Sequence, residues 1–178
     1  MSNREDDWKN KPPFGPKPDG FKAQWHGKCH CGRVTYELSR EKPLASKYCH
    51  CGDCKKLHGA PFQWAAIFNK GDINFANGTE GLGFYHTADK GRHHDLPCKV
   101  YCDFCRAPIM DEGRNMILLF PPLIQEISSE RGVEAFKPQC HLFYPQRVLQ
   151  FKGDGMDKWE GLDKKSASLD DDGNVVEK

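Results

Sequence analysis

Apolar residues recur at every second position over short stretches of this chain, with turn-forming residues between the stretches. In GRVTYEL (32–38), Val34, Tyr36 and Leu38 alternate with Arg33, Thr35 and Glu37, as expected of a strand with one buried face. QWAAIFN (63–69) and DINF (72–75) follow the same rule and are joined at Asn69–Gly71, a turn signal. GLGFYH (81–86), KVYC (99–102), NMILLFPP (115–122), HLFYP (141–145) and RVLQF (147–151) extend the series. Turn pairs such as Asn77-Gly78, Lys90-Gly91 and Glu112-Gly113 punctuate it. No segment sustains a helical period, and CGDCKKLHGA (51–60) has room for one short helical turn. The pattern predicts a mainly β fold of small antiparallel sheets in a single domain.

The ends read differently. Residues 1–24 are rich in Pro, Lys and Asp without an apolar period, and read as an extended N-terminal arm. Residues 161–178 read as a polar, disordered C-terminal tail, which leaves 25–160 as the compact domain. The charge is nearly balanced, 26 basic residues against 25 acidic, with no basic block or stripe. That removes most of the counterion-release drive for nucleic acid, so no nucleic-acid partner is expected. No run approaches the roughly 20 apolar residues of a membrane span, and no apolar segment marks a secretory signal. The expectation is a soluble, cytoplasmic protein whose thiols stay reduced.

The cysteines carry the chemistry. Seven of the nine lie in tight groups, C-H-C (29–31), C-H-C-G-D-C (49–54) and C-D-F-C (102–105). Such short loops strain a disulfide, whereas C-x-C and C-x-x-C loops deliver several sulfurs to one zinc ion. The pairs Cys29/Cys31 and Cys102/Cys105 combine naturally into a closed four-thiolate structural site. The triplet Cys49, Cys51 and Cys54 then supplies three ligands, the number found where zinc keeps one position open for chemistry. Three thiolates leave the ion with a net charge of about −1, a poor setting for activating water. They suit a fourth, exogenous sulfur, held as a thiolate and nucleophilic toward a carbonyl carbon.

Competing readings stand beside these. His50, His58, His141 or Cys98 could complete the triplet as a fourth ligand and make it structural. Cys98 and Cys140 otherwise read as buried small residues. His93-His94-Asp95 reads as a solvated turn, and Phe62, Trp64 and Phe68 as alternating strand residues of a core. Lys55, His50 and His58 are candidates for proton transfer or anion contact beside the triplet.

GKCHCGRVTYEL, YCHCGDCKKLHGAPFQW and YCDFCRAPIMDE, in that order, resemble the glutathione-dependent formaldehyde-activating enzyme family, to which centromere protein V also belongs. The resemblance runs from about Trp25 to Trp159. It implies small antiparallel sheets around a zinc knuckle and two zinc ions, one structural on Cys29, Cys31, Cys102 and Cys105, the other catalytic on Cys49, Cys51 and Cys54. It also implies a carbon–sulfur lyase that joins a glutathione-like thiol to a small carbonyl compound, or parts them. The alternative is a non-catalytic zinc-binding scaffold that binds a partner. Arg106 departs from the family, whose knuckle usually has glycine there to take a left-handed turn.

Overall fold

The computed structural model describes residues 4–176. The elements begin with β1 (Trp25–Lys28), β2 (Thr35–Leu38) and β3 (Ala45–Cys49). Helix α1 (Gly52–His58) precedes β4 (Gln63–Asn69). There follow β5 (Ile73–Phe75), β6 (Leu82–His86), β7 (Cys98–Cys102), β8 (Pro108–Glu112) and β9 (Met116–Leu119). Helix α2 (Glu130–Ala135) leads to β10 (Cys140–Leu142), β11 (Asp157–Trp159) and β12 (Ser168–Leu169). The fold is mainly β, as the alternation predicts. The described chain forms two compact units: one runs to Leu44 and resumes over Ile67–Phe136, the other comprises Ala45–Ala66 and the residues from Lys137 onward.

In the first unit β1, β2 and β5 form an antiparallel sheet, and β6, β7, β8 and β9 follow one another as antiparallel neighbours. Both sheets use the same cross-strand device. Gly27 lies opposite Tyr36 and Gly83 opposite Tyr101, and a Cβ on either glycine would fall 2.1 or 2.3 Å from the tyrosine ring. Each tyrosine thus lies flat over a partner strand that must lack a side chain. Tyr36, Leu38, Phe68, Val100, Ile109, Ile117 and Leu119 fill the core. Trp25 is fully buried, donates to Glu41 O at 3.0 Å, and meets Phe136 edge-on at 5.2 Å. Polar WHGK hid β1 from the periodicity, and this single aromatic residue anchors it. The N-terminal arm packs by its aromatic residues: Phe14 is buried, 5.5 Å from Phe75, and Trp8 lies 4.7 Å from Phe84. The first three residues of the arm lie outside the described residues.

In the second unit β10 runs parallel to both β3 and β11, while β12 is antiparallel to β11. Antiparallel pairing was expected throughout. Parallel neighbours need a long connection, which the many residues between β3 and β10 provide. RVLQF (147–151) is a loop and not a strand, because Arg147 turns back to donate to Tyr144 O at 3.2 Å and Asp172 O at 3.0 Å. The polar C-terminal stretch contains β12, whose Leu169 is buried, and residues 177–178 lie outside the described residues. Its polar groups are spent on local order, since the Asp170 carboxylate accepts from the N–H groups of Asp172, Gly173 and Asn174 at 2.8–2.9 Å.

A buried cation ties this unit together. Lys158, 3% exposed, pairs with Asp154 and Asp171 at 2.8 Å each. Burial works against the charge on Lys158, yet the two carboxylates outweigh it and raise its pKa. Burial also works against the charge on Asp154, but Lys158, the Met156 N–H and His141 hold its carboxyl below the usual range. Asp171 is lowered by Lys158 and by the Gly153 N–H. The carboxylates therefore stabilise the fold above their unfolded pKa of about 3.9, and that contribution is lost as pH falls through their lower folded values. The lysine contributes fully below its unfolded value of 10.5, and its contribution is lost as pH rises through the higher folded value. Lys158→Met should cost about 1–3 kcal/mol at neutral pH in denaturant unfolding. It should also flatten the loss of stability in acid below about pH 4. An acid limb as steep as that of the parent chain would refute this account.

Candidate functional site

Two cysteine groups come together, each within one unit. Cys29 and Cys31 follow β1, while Cys102 ends β7 and Cys105 lies on the turn into β8. Their four Sγ atoms lie within 4.8 Å of one another. Cys29 and Cys31 stand 3.5 Å apart, and Cys31 and Cys102 3.8 Å. A tetrahedron with Zn–S bonds of about 2.3 Å has edges of about 3.8 Å, so these spacings fit zinc. The electrostatics agree. Burial pushes the Cys105 thiol up, but the N–H groups of Ala107 and Cys31 and the thiols of Cys102 and Cys31 bring it down to about 6. Cys31 moves the other way: the Arg33 N–H favours its thiolate, but burial and the other three cysteines push it up to about 11. Thiols this close cannot all ionise without a cation among them. The knuckle is closed by Arg106 at φ 61°, the left-handed conformation glycine would take cheaply. Its guanidinium binds Asp103 and lies 5.7 Å from the Tyr101 ring centre.

The second group is Cys49, Cys51 and Cys54, again with Sγ atoms within 4.8 Å of one another and each cysteine half-buried. Cys49 ends β3, in register with Leu142 of β10, and the His50 N–H donates to Leu142 O at 3.0 Å. Cys51 caps α1, its Sγ accepting from the Cys54 N–H at 3.4 Å. The cap selects the rotamer that turns the sulfur toward the third cysteine. The Gly52 N–H donates to Gln146 Oε1 at 3.0 Å, and Lys55 Nζ donates to Gln146 O. Strand, cap and glutamine together hold the loop.

Among the described residues no fourth His, Cys, Asp or Glu joins the triplet. Cys98 lies in the other unit, grouped with His94 and Glu112. Burial pushes its thiol up to about 12, and that of Cys140 to about 11, which favours the neutral thiol in both. His94 is no solvated turn: its Nε2 lies 2.6 Å from Glu112 Oε2, whose other oxygen accepts from Lys70. Phe68 is core as expected, whereas Trp64 donates to Ser46 Oγ at 2.9 Å. Phe62 packs 4.5 Å from Tyr48 and 5.7 Å from His50.

His50 and His141 join in a buried chain. His50 Nε2 lies 2.8 Å from His141 Nδ1, and His141 Nε2 lies 2.7 Å from Asp154 Oδ2. The carboxylate can only accept, so neutral His141 donates through Nε2 and accepts at Nδ1 from His50 Nε2. His50 Nδ1 is left as an acceptor with no hydrogen-bond partner, although it is buried. Burial, then the like charge of His141, lowers the His50 pKa to about 4, which keeps it neutral. Phe62, Phe151 and Tyr144 stand 5.3–6.0 Å from the His50 ring. Nothing in the spacing of the sequence pairs His141 with His50 or brings Asp154 to them, because strand pairing does that.

Residues 24–146 match the family of glutathione-dependent formaldehyde-activating enzymes. The chain belongs to that family. No curated protein matches. A crystal structure of a Rhodobacter sphaeroides protein is similar at 20% identity and TM-score 0.46, covering 58% of this chain and 91% of its own. Among the described residues no helix is long and apolar enough to cross a membrane.

The left-handed Arg106 generates a stability prediction. A non-glycine residue there costs about 1–2 kcal/mol, and the exposed pair with Asp103 returns at most about 1 kcal/mol. Arg106→Gly should therefore leave stability unchanged or raise it by about 1 kcal/mol in denaturant unfolding, with the metal content unaltered. A loss above 1 kcal/mol would mean that the arginine's contacts outweigh its backbone strain.

Proposed function

We propose that this chain is a carbon–sulfur lyase that makes and breaks the bond between a glutathione-like thiol and a small carbonyl compound. Cys29, Cys31, Cys102 and Cys105 would hold a structural zinc ion, and Cys49, Cys51 and Cys54 a catalytic one. The carrying observation is the inequality of the two groups: four sulfurs in one, three in the other with no fourth donor among the described residues. The glutathione and aldehyde in the family's description support the substrate class. Zinc on the triplet would supply a place where an incoming thiol sheds its proton and stays nucleophilic.

In the forward direction the sulfur adds to the carbonyl carbon. The C–S bond forms as the carbonyl π pair moves to oxygen, which takes up a proton. The reverse returns thiol and carbonyl. The chain's own residues prepare this chemistry. Gln146 fixes the loop through Gly52 and Lys55. The His50–His141–Asp154 chain holds both imidazoles in one tautomer, and Phe62 and Phe151 help keep His50 buried. Lys55 is committed to Gln146 O and serves to position the loop.

Separate cysteine substitutions test the division of labour. Cys54→Ser should reduce thiol-plus-aldehyde turnover by roughly 100-fold or more, with the melting temperature nearly unchanged. Cys102→Ser, at a fully buried position, should lose zinc and unfold. With cobalt in place of zinc, glutathione should shift the spectrum of the triplet site alone. Equal destabilisation by the two substitutions, or a spectrum indifferent to thiols, would favour a non-catalytic scaffold.

A further inference from the structure

The hairpin between β6 and β7 carries a group of side chains that neither cysteine site uses. His86 ends β6, and Asp89 and His93 lie in the connecting loop, a spacing of H-x-x-D-x-x-x-H. One ligand atom from each lies within 4.8 Å of the others. His86 Nδ1 stands 3.0 Å from Asp89 Oδ1, and His93 Nε2 3.2 Å from Asp89 Oδ2. The His86 nitrogen is buried, and the Gly91 N–H and His86 together hold the Asp89 carboxyl below its usual range. The carboxylate thus stands between the two imidazoles, with one oxygen toward each.

The backbone around them is shaped for that convergence. The His86 N–H donates to Gly91 O at 2.9 Å, which closes the loop. The Gly91 N–H donates to Asp89 Oδ1 at 2.8 Å and fixes the carboxylate. Glycine at position 91 leaves room for this arrangement, because a Cβ there would fall 2.3 Å from His93 Cε1, 2.5 Å from His93 Nδ1 and 2.9 Å from Asp89 Oδ1 and would push the imidazole aside. Two neighbouring side chains are engaged elsewhere. Arg92 donates to Tyr101 OH at 3.2 Å and to Asp103 at 3.1 Å, while His94 faces Glu112.

We propose that His86, Asp89 and His93 form a third metal site, specific for a divalent transition ion that favours imidazole. Two imidazoles and one carboxylate suit zinc, nickel, cobalt or copper over magnesium or calcium, whose preferred ligands are oxygens. Asp89 and His93 are half exposed, so water completes the coordination. The site is a staple for the loop, independent of the cysteine chemistry.

Nickel added to the untagged, zinc-loaded protein tests this. One further equivalent should bind, the imidazole NMR signals of His86 and His93 should broaden while that of His26 stays sharp, and a large excess of magnesium should not compete. His93→Ala and Asp89→Asn, both at exposed positions, should each weaken the added binding at least tenfold and leave the cysteine-bound zinc in place. Gly91→Ala should do the same by displacing the His93 ring. No additional equivalent, or binding undiminished in His93→Ala and Asp89→Asn, would overturn the assignment.

Discussion

Sulfur atoms held 3.5–3.8 Å apart on separate stretches of backbone set the terms for the first unit. Neutral thiols gain little from such proximity and thiolates repel, so the arrangement suits a cation among the sulfurs. The strands reflect this. β1 and β7 belong to different sheets, and each delivers its cysteines at a chain end or turn where left-handed residues, Gly32 and Arg106, bend the backbone back. A metal clip between segments so distant in sequence would close a long loop, an entropic cost the small β sheets would otherwise carry alone.

The triplet is built on other principles. Its loop is short, its sulfurs are half exposed, and its geometry comes from hydrogen bonds: a capping sulfur, a glutamine across the loop, and a strand partner for His50. Behind it the paired imidazoles end on a carboxylate that a buried lysine also grips. Orientation therefore passes from Lys158 through Asp154 and His141 to His50, one position from two of the three cysteines. An unpartnered acceptor at the end of that chain is costly to keep in a buried place, as expected where function outweighs stability.

Short-range signals in the amino-acid order were legible, and long-range ones were not. Alternation located β4 to the residue and β2, β5, β6, β7 and β9 to within a few, because each buries one face. It missed β8 and β12, and also β1, β3 and β11, where Trp25, Ser46 and Lys158 are buried by partners that composition does not advertise. It misread 147–151, whose apolar Val148 and Leu149 are exposed because Arg147 is tied into a turn. The cysteine groups were plain from spacing, since metal loops are local. His141 and Asp154 were invisible as partners of His50, and His94 passed for a solvated turn, because a β register and a cross-strand carboxylate decide those contacts.

The parallel seating of β10 against β3 bears on the order of events during synthesis. The loop bearing Cys49, Cys51 and Cys54 leaves the ribosome well before Leu142 and Gln146, the residues that shape it. A nascent chain therefore presents three loosely held thiols through much of its translation, while the four-sulfur cluster is complete once Cys105 has emerged. Any metal bound by the closed cluster would load alongside elongation, whereas the triplet reaches its final shape only after the C-terminal third has folded back. Truncated products would then carry an intact clip and an unsupported, oxidation-prone second loop.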